Sequence, residues 1–317
     1  MTKYRRDLPQ LHGGTYLTDG GLETTLIFQR GIELPHFASF TLLDDPIGRE
    51  ELSNYYETYL AIASNRKLGF VLDTATWRAN PDWSMKLGYD LEALRALNRR
   101  SVEQLAQLRT KWERPGQPII LSGAIGPRGD GYRQGVMSAV EAEAYHAFQV
   151  RAFAETDADM VTAFTMNNPD EAIGIARAAR KAEIPCVISF TVETDGRLAS
   201  GASLREAVER TDAECDTSPI YYMINCAHPT HFASALERGE DWVRRIGGIR
   251  ANASTKSHEE LDNSTELDSG NPDDLGLHYH QLRTVYPTMR ILGGCCGTSH
   301  QHVLAICDAC LPQVAAE

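Results

Sequence analysis

The sequence lacks a long hydrophobic run and an excess of basic residues. No stretch of the 317 residues approaches the roughly 18 to 20 uninterrupted apolar residues that a membrane helix needs, so no membrane span is predicted. Lysine and arginine number 31 against 43 aspartates and glutamates, which gives a formal net charge of −12. Nucleic-acid-binding proteins neutralise phosphates with a basic face. This balance therefore argues against a nucleic-acid partner.

A secretion signal and a disulfide framework are also missing from the sequence. The basic start at 1–6 is followed by Asp7, Pro9 and Gln10, where a signal peptide would need an apolar segment. The seven cysteines are odd in number, and in a chain of this length they are typical of buried thiols, metal ligands or nucleophiles. We therefore expect a cytoplasmic protein.

Short apolar runs rich in β-branched residues alternate with longer stretches of helical spacing, which predict helices over 49–66, 91–112, 139–155, 169–181, 203–211 and 229–237. Eight strands, each followed by a helix, in about 300 residues predict a single-domain α/β protein, a (β/α)₈ TIM barrel. The near-continuous apolar character of the runs suits a parallel sheet that is buried on both faces. An open, doubly wound sheet is the alternative. The eight predicted strands are 16–18, 69–72, 119–122, 160–163, 186–190, 221–225, 246–249 and 289–292.

No repeat and no Pro- or Ser-rich linker marks a domain boundary, so 1–317 are predicted to form one domain. One segment differs in composition, since 252–274 contain seven acidic residues and almost no large apolar side chain. This segment follows the seventh strand and is predicted to be an acidic, exposed loop. Because such loops lie at the face of a barrel where substrates bind, a lid is the alternative interpretation.

The most informative motif is a pair of adjacent cysteines, Cys295 and Cys296, between glycines at the end of the last predicted strand. Consecutive side chains on a strand point to opposite faces, so ordinary core packing does not explain the pair. Cys226 follows Asn225 at the end of the sixth predicted strand. In a barrel, both sites fall at the face where active sites are built.

Three cysteines from two strand ends can supply three ligands of a tetrahedral zinc site and leave the fourth position for a substrate. A substrate thiol bound there would lose its proton and remain nucleophilic. Alternatives stay open at this point. The adjacent pair could form a vicinal disulfide or a redox switch, His228 or His300 could replace a cysteine as ligand, and a metal-bound water would make the protein a zinc hydrolase. The C-x-x-C spacing of Cys307 and Cys310 fits an amphipathic C-terminal helix.

Four motifs together resemble the homocysteine S-methyltransferase family, which includes S-methylmethionine-dependent and betaine-dependent enzymes. They occur in the family's order and span roughly 16–311: the Thr-Asp-Gly-Gly-Leu-Glu-Thr-Thr run at 18–25, Ile-Gly-Pro at 125–127, Asn-Cys at 225–226 and Gly-Gly-Cys-Cys-Gly-Thr at 293–298. The resemblance implies a (β/α)₈ barrel. It also implies that Cys226, Cys295 and Cys296 hold a catalytic zinc.

The resemblance also implies substrate-binding roles. Asp19 matches the family aspartate that helps to hold the amino group of homocysteine. Family members commonly carry a second acid, a glutamate after the fourth strand, where this sequence has Phe164 or Thr165. Arg78 stands where many relatives have glutamine; it could bind a substrate carboxylate or pair with Asp73 or Asp82.

The methyl donor is expected to be an onium compound, because a neutral thioether is a poor leaving group. Such cations are recognised by aromatic faces and nearby acids. Trp77 is the best-placed aromatic residue and Glu23 the nearest acid; the other candidates are Phe28, Trp83 and Tyr89.

The sequence thus predicts a zinc-dependent S-methyltransferase of a small-molecule thiol. The expected acceptor is homocysteine, the expected donor is S-methylmethionine or S-adenosylmethionine, and the product is methionine. Asp19, Glu23, Trp77, Arg78 and Asn225 are the predicted substrate-binding residues. Transfer to another small thiol is the close alternative, and a zinc hydrolase or a redox or thiol-sensing protein is the distant one.

Overall fold

The computed structural model describes residues 2–216 and 219–311. Eight parallel strands close into one barrel in which each strand pairs with its neighbours in chain order and β8 pairs with β1. The (β/α)₈ prediction is confirmed. The strands are β1 Tyr16–Leu17, β2 Gly69–Asp73, β3 Ile119–Ile125, β4 Met160–Met166, β5 Cys186–Phe190, β6 Pro219–Asn225, β7 Ile246–Ala251 and β8 Ile291–Gly294.

Helices surround this barrel and cover its strands. Several follow the predicted bounds because local signals fix their ends: α4 begins after the Asp90 cap and α6 after Asn168 and Pro169. The α-helices are α1 Leu22–Thr24, α2 Pro46–Asn65, α3 Pro81–Lys86, α4 Leu91–Trp112, α5 Ala139–Ala154, α6 Pro169–Lys181, α7 Leu204–Glu214, α8 Pro229–Phe232, α9 Asp241–Arg244, α10 His258–Asp262, α11 Pro272–Val285 and α12 His300–Cys310.

Short segments of other helical type complete the chain order. A π-helical segment, Thr25–Gln29, continues α1, and 3₁₀ turns occur at Pro9–Leu11, Pro35–Phe37, Ser39–Asp44 and Ala233–Ala235. The helix expected over 229–237 therefore ends early. Its α-helical part stops at Phe232 and a 3₁₀ turn takes over.

The strands are apolar on both sides because two cores meet at the barrel wall. A large core packs between the wall and the helices and includes Leu72, Leu121 and Ile188. The alternate side chains fill the barrel interior, so that the end of the barrel opposite the carboxyl ends of the strands is closed. This inner core contains Val71, Ile120, Met160, Val187, Tyr221, Met223 and Ile291.

The acidic segment 252–274 has more structure than a plain loop. Its first residues are buried, it contains α10, and it runs into α11, while most of its remaining side chains are exposed or partly exposed. A capping box formed by Ser257 and Glu260 starts α10. No helix within the described part of the chain is long and apolar enough to cross a membrane.

Candidate active site

A cavity of about 460 Å³ opens at the carboxyl ends of the strands. Residues from most strand ends and from two long loops contribute to its wall, which is the usual position of a barrel active site. The cavity includes every predicted substrate-binding residue and all three cysteines: Asp19, Glu23, Trp77, Arg78, Asn225, Cys226, Cys295 and Cys296.

The three cysteines form one cluster at the wall of this cavity. The sulfur atoms of Cys226, Cys295 and Cys296 all lie within 4.8 Å of one another. The structure joins Cys226 to Cys295 by a disulfide and leaves Cys296 as a free thiol. The bond therefore links the two strand ends and does not form within the adjacent pair. In a tetrahedral zinc site the ligand sulfurs are about 3.8 Å apart, so the reduced cluster fits this metal in ligand type and spacing.

Cys226 is held in an unusual backbone conformation. Its φ of 52° lies in the left-handed region, which is uncommon for a residue with a side chain. The carbonyl oxygen of Cys226 accepts hydrogen bonds from Asn252 Nδ2 at 3.0 Å and from His258 Nε2 at 2.6 Å. These two bonds fix the peptide, so the direction of the Cys226 side chain is set by residues that follow β7.

Two glycines explain the path of the chain around Cys295 and Cys296. A Cβ atom on Gly293 would lie 1.8 Å from Thr18 Oγ1, so only glycine lets β8 approach the end of β1 this closely. Gly297 has a φ of 78°, which favours glycine and turns the chain toward α12. Gly297 therefore allows the chain to turn, while Gly293 allows close packing.

Asn225 is a positioning residue beneath the cysteines. Its Oδ1 accepts from Thr165 N at 2.9 Å and from Ser189 Oγ at 2.6 Å, and its Nδ2 donates to Thr165 Oγ1 at 3.0 Å. Thr165 itself has a φ of 61°. The Asn225 amide thus ties β4, β5 and β6 together and lies 4.0 Å from Cys295 Sγ.

Cys296 faces an aromatic side chain from the loop that follows β3. The hydroxyl of Tyr132 lies 3.8 Å from Cys296 Sγ, and the Tyr132 ring stacks on His258 with ring centroids 4.1 Å apart. Burial raises the pKa of the Cys296 thiol to about 11. A thiol with this raised pKa is protonated at neutral pH, and a cation bound at the cluster would favour its ionised form.

A buried ion-pair cluster forms the floor of the cavity. Arg250, at the end of β7, pairs with Asp19 through Nη2 and with Asp73 through Nη1, the latter at 2.8 Å. Its remaining bonds reach main-chain carbonyls: Nε donates to Gly294 at 3.0 Å and Nη2 to Gly20 at 3.2 Å. The guanidinium is thus held by two carboxylates and two carbonyls.

This floor changes the environment of Asp19. One carboxylate oxygen of Asp19 pairs with Arg250 and the other accepts from Tyr55 at 3.0 Å. Burial raises the pKa of Asp19, and it raises the pKa of Asp73 to about 7, while Arg250 opposes both changes. Phe164 packs against the guanidinium, with its ring centroid 5.0 Å from Cζ of Arg250. Phe164 is one of the two residues, with Thr165, that stand where the family resemblance implies a glutamate, and its ring lies against an arginine.

A second arginine lines the same cavity. Arg78 is sandwiched between Trp77 and Trp83, with its Cζ 4.1 Å from each ring centroid. It pairs with neither carboxylate considered from the sequence, because Asp73 binds Arg250 and Asp82 binds Arg128 at 2.7 Å. One face of Trp77 is therefore covered by a guanidinium of the protein itself.

Of the remaining predicted residues, Glu23 and Phe28 line the cavity and Tyr89 does not. Glu23 lines the cavity and accepts from Ser39 Oγ at 2.8 Å, and burial raises its pKa. Phe28 also lines it. Tyr89 lies outside it, packed on Phe40 with ring centroids 5.5 Å apart.

The histidine alternatives and the second cysteine pair do not join the cluster. Within 2–216 and 219–311, the three cysteines are the one group of three or more ligand-type side chains close enough to share a metal ion. His228 caps α8, where its Nδ1 accepts from Thr230 N, and His300 is exposed. Cys307 and Cys310 lie on α12, as the helical spacing predicted.

Sequence reasoning missed Arg250, Asp73, Tyr132 and His258. Arg250 carried a usable signal, since it is a charged residue at the end of an apolar run and therefore at the functional face of a barrel. Nothing in the sequence indicated a functional position for Tyr132 or His258, because each comes from a loop whose path depends on the rest of the fold.

The structure of this chain is similar to those of a bacterial enzyme. The homocysteine methyltransferase MmuM from Escherichia coli in its oxidized form superposes with a TM-score of 0.75 at 23% identity, and the match covers 96% of this chain and 99% of that one. Its metallated form gives a TM-score of 0.74 at 22% identity with the same coverage. At this identity, the likeness supports the fold alone. No curated protein sequence matches the chain significantly.

The family assignment rests on the sequence match across the barrel. The sequence model for homocysteine S-methyltransferases matches residues 16–310, from the first strand to the last helix. This range contains the aspartate of the first strand, the asparagine–cysteine pair and the glycine-flanked cysteines from which the resemblance was drawn. The chain therefore belongs to the homocysteine S-methyltransferase family.

Proposed function

We propose that this protein transfers a methyl group from an onium donor to a small-molecule thiol, with zinc held by Cys226, Cys295 and Cys296. The observation that carries the proposal is the sulfur cluster itself: three cysteines from two strand ends lie within 4.8 Å of one another at the wall of a substrate-sized cavity. When bound, the metal supplies the Lewis acidity that keeps an acceptor thiol deprotonated at neutral pH.

The reaction is a direct displacement. The acceptor sulfur donates an electron pair to the methyl carbon, and the bond from that carbon to the donor's onium atom breaks with its electrons left on the departing neutral thioether or amine. The proton of the acceptor thiol has left beforehand, so no general base is needed in the transfer step. The protein then has to exclude water and align the sulfur with the methyl carbon.

Homocysteine is the leading acceptor, with S-methylmethionine or S-adenosylmethionine as the leading donor, and methionine formation is the proposed role. Asp19 is the candidate anion for the acceptor's amino group, and Glu23 is the candidate anion for the onium charge. Asn225 supports the cysteines from below through its bonds to Thr165 and Ser189.

The floor of the cavity favours a second candidate acceptor, a small thiol without an α-amino group. Both oxygens of Asp19 already have partners, Arg250 and Tyr55, and Phe164 provides no charge. An ammonium group entering this floor would meet a guanidinium as well as the two carboxylates. We therefore include 3-mercaptopropionate and 2-mercaptoethanol as acceptors to be compared with homocysteine.

The site also needs a reducing environment. Metal binding by three thiolates requires that the Cys226–Cys295 bond be reduced. A cytoplasmic location supplies this condition and is part of the proposal.

The test is methyl transfer by reduced, zinc-loaded protein, offered isotope-labelled homocysteine and S-methylmethionine. Labelled methionine, detected by mass spectrometry, is the expected product, and the label separates it from methionine released by the donor. Labelled thioether from another thiol, but none from homocysteine, would support the second acceptor. With zinc bound, transfer to no thiol from any onium donor would overturn the proposal.

The metal assignment has its own test. Cys226→Ala and Cys295→Ala are each expected to lose stoichiometric zinc and transfer activity, because the remaining two sulfurs cannot close the site. Cys310→Ala, on α12, serves as the matched control and should retain both. Stoichiometric zinc with full activity in either site variant would contradict the assignment.

A further inference from the structure

Arg78 is a buried arginine with no carboxylate at ion-pair distance among residues 2–216 and 219–311, although Asp130 and Glu23 act on its charge from further away. Only 9% of its surface is exposed, and that surface faces the cavity. Its one hydrogen bond in this part of the chain runs from Nη1 to the Gly129 carbonyl at 2.8 Å. Burial lowers the pKa of Arg78, which reflects the cost of holding this charge away from water. An arginine in this setting is stabilised when a ligand brings a negative charge.

The surroundings of Arg78 prepare it for a planar anion. The rings of Trp77 and Trp83 hold the guanidinium between them, so its plane is fixed before any ligand arrives. Arg78 Nε, Trp77 Nε1 and Trp83 Nε1 are buried donors for which the described residues offer no acceptor. A carboxylate matches the planar fork of a guanidinium.

The wall between Arg78 and the cysteines carries negative and aromatic groups. Asp130, Tyr132 and Glu23 all interact electrostatically with Arg78, and Tyr132 and Glu23 also interact with Cys296. Glu23 and Tyr132 thus lie within electrostatic range of both the sulfur cluster and Arg78, and all of these residues line the same cavity. A molecule with a positive group near the sulfur and a carboxylate at its far end has complementary charges.

The geometry points to a specificity-determining residue: Arg78, clamped by Trp77 and Trp83, binds the carboxylate of the zwitterionic onium donor, whose methyl-bearing cation lies between Arg78 and the sulfur cluster. This inference rests on the proposed methyl transfer and deepens it. It assigns the selection of the donor to Arg78, and it predicts that onium compounds without a carboxylate bind poorly.

The carboxylate is assigned to the donor because the acceptor has a different polar region beside it. Arg250 donates to the carbonyl of Gly294, the residue that precedes Cys295, so the ion-paired floor adjoins the sulfur cluster. A small acceptor whose sulfur lies at the cysteines has its polar end at this floor. Arg78 lines the same cavity, takes no part in this ion-paired floor, and is then left for the second substrate.

Tryptophan fluorescence tests the inference without requiring turnover, because two of the four tryptophans flank Arg78. Reduced, zinc-loaded protein is titrated with S-methylmethionine, with 3-(dimethylsulfonio)propanoate and with the methyl ester of the latter, which keeps the cation and masks the carboxylate. We expect the free carboxylate to bind at least about tenfold more tightly than its ester, the usual scale for charge-assisted hydrogen bonds.

Variants of Arg78 sharpen the test. Arg78→Gln should reduce that preference to less than about threefold, and Arg78→Lys should keep part of it, since lysine supplies the charge without the planar fork. Arg128→Gln is the matched control, because Arg128 is an exposed arginine already paired with Asp82. Equal binding of acid and ester by the unaltered protein would overturn the inference, as would an unchanged preference in a folded Arg78→Gln protein.

The same variants show which of the two substrates Arg78 binds. They also test this inference independently of the proposed function. In transfer assays, Arg78→Gln should raise the KM of the carboxylate donor and leave the KM of the acceptor within about twofold. A rise confined to the acceptor's KM would overturn the assignment to the donor. If no methyl transfer occurs but the carboxylate preference and its loss in Arg78→Gln are observed, the proposed function fails while the anion site stands.

Discussion

Two buried arginines line the same cavity, and the protein treats them differently. Arg250 is surrounded by partners from its own chain: Asp19, Asp73 and two main-chain carbonyls. Arg78 is equally buried but has one carbonyl and two tryptophan rings. Their exposed fractions are 8% and 9%, so burial does not distinguish them.

This difference indicates that Arg250 has a structural role, whereas Arg78 can bind the negative group of a ligand. Arg250 joins β1, β2 and β7 at the floor, and its carboxylate partners offset the cost of removing it from water. At Arg78 the described part of the protein supplies position and orientation but no carboxylate at ion-pair distance, and Asp130 and Glu23 act on the charge only from further away. The number of compensating partners, rather than burial or residue type, therefore indicates which arginine acts on a substrate.

The largest expected effect is a change in the free energy of unfolding, which should differ between variants of the two arginines. Arg250→Met leaves the carboxylates of Asp19 and Asp73 buried without their partner, which should cost about 3 to 5 kcal/mol in the free energy of unfolding. Arg78→Met removes an uncompensated charge and should cost less than about 1 kcal/mol. Urea unfolding at pH 8 measures both.

The loss caused by Arg250→Met should also depend on pH. The pKa values of Asp19 and Asp73 are raised by burial, so their carboxyl groups are accommodated best when protonated. A raised pKa contributes stability at low pH that is lost as pH rises through the folded-state value. The deficit of Arg250→Met should therefore be larger at pH 8 than at pH 5; equal costs for the two arginine variants at both pH values would break the comparison.

A third buried titratable group, His228, differs from both arginines because its surroundings favour the neutral form. His228 caps α8 close to His231 and His278, and burial lowers its pKa from 6.5 to about 4. A lowered pKa means that stability is present above pH 6.5 and is lost as pH falls toward 4. At pH 5 the loss attributable to His228 should be about 2 kcal/mol relative to pH 8.

His228→Asn should remove most of this pH dependence while preserving the cap, since asparagine is a good N-cap residue. His280→Asn, at an exposed position of α11, is the matched control. Thermal or urea unfolding between pH 5 and pH 8 provides the measurement. If the stability of His228→Asn depends on pH as that of the unaltered protein does, the loss of stability at low pH does not come from His228.

The smallest expected effect tests whether the floor of the cavity, formed by Arg250, Asp19 and Asp73, binds the acceptor. Asp19→Asn should raise the acceptor KM by about tenfold if Asp19 still contacts an amino group, with zinc content unchanged. When the acceptor is 3-mercaptopropionate, the same substitution should leave its KM nearly unaltered, because that thiol has no amino group. Loss of zinc along with activity would make Asp19 a structural residue, like Asp73.

The strand-by-strand plan of the barrel could be predicted because its signals are local. Apolar runs marked all eight strands, and β5 agrees with its predicted bounds, 186–190, at both ends. Helix α4 likewise begins and ends where the helical spacing predicted, and the structure shows Asp90 as its N-cap. Other strands extend further, as β4 does to Met166, because burial on both faces continues past the β-branched run.

The cysteine cluster could also be predicted, since the carboxyl ends of barrel strands converge on one face. Cys226 and Cys295 are 69 positions apart, yet their Cα atoms are separated by 5.3 Å. That convergence follows from the (β/α)₈ topology together with the positions of both residues at strand ends. The disulfide between these two residues was not anticipated.

By itself the sequence determined the barrel, its family and the residue types available at the functional face, because strand periodicity, helix caps and strand-end positions are read along the chain. Only the tertiary structure decided how the charges are shared. Asp73 could have paired with Arg78, five positions away, but it pairs with Arg250, which lies 177 positions away. Partner choice depends on the angular order of the strands around the barrel and on the direction of each side chain. That arrangement surrounds Arg250 with acids and leaves Arg78 facing the cavity.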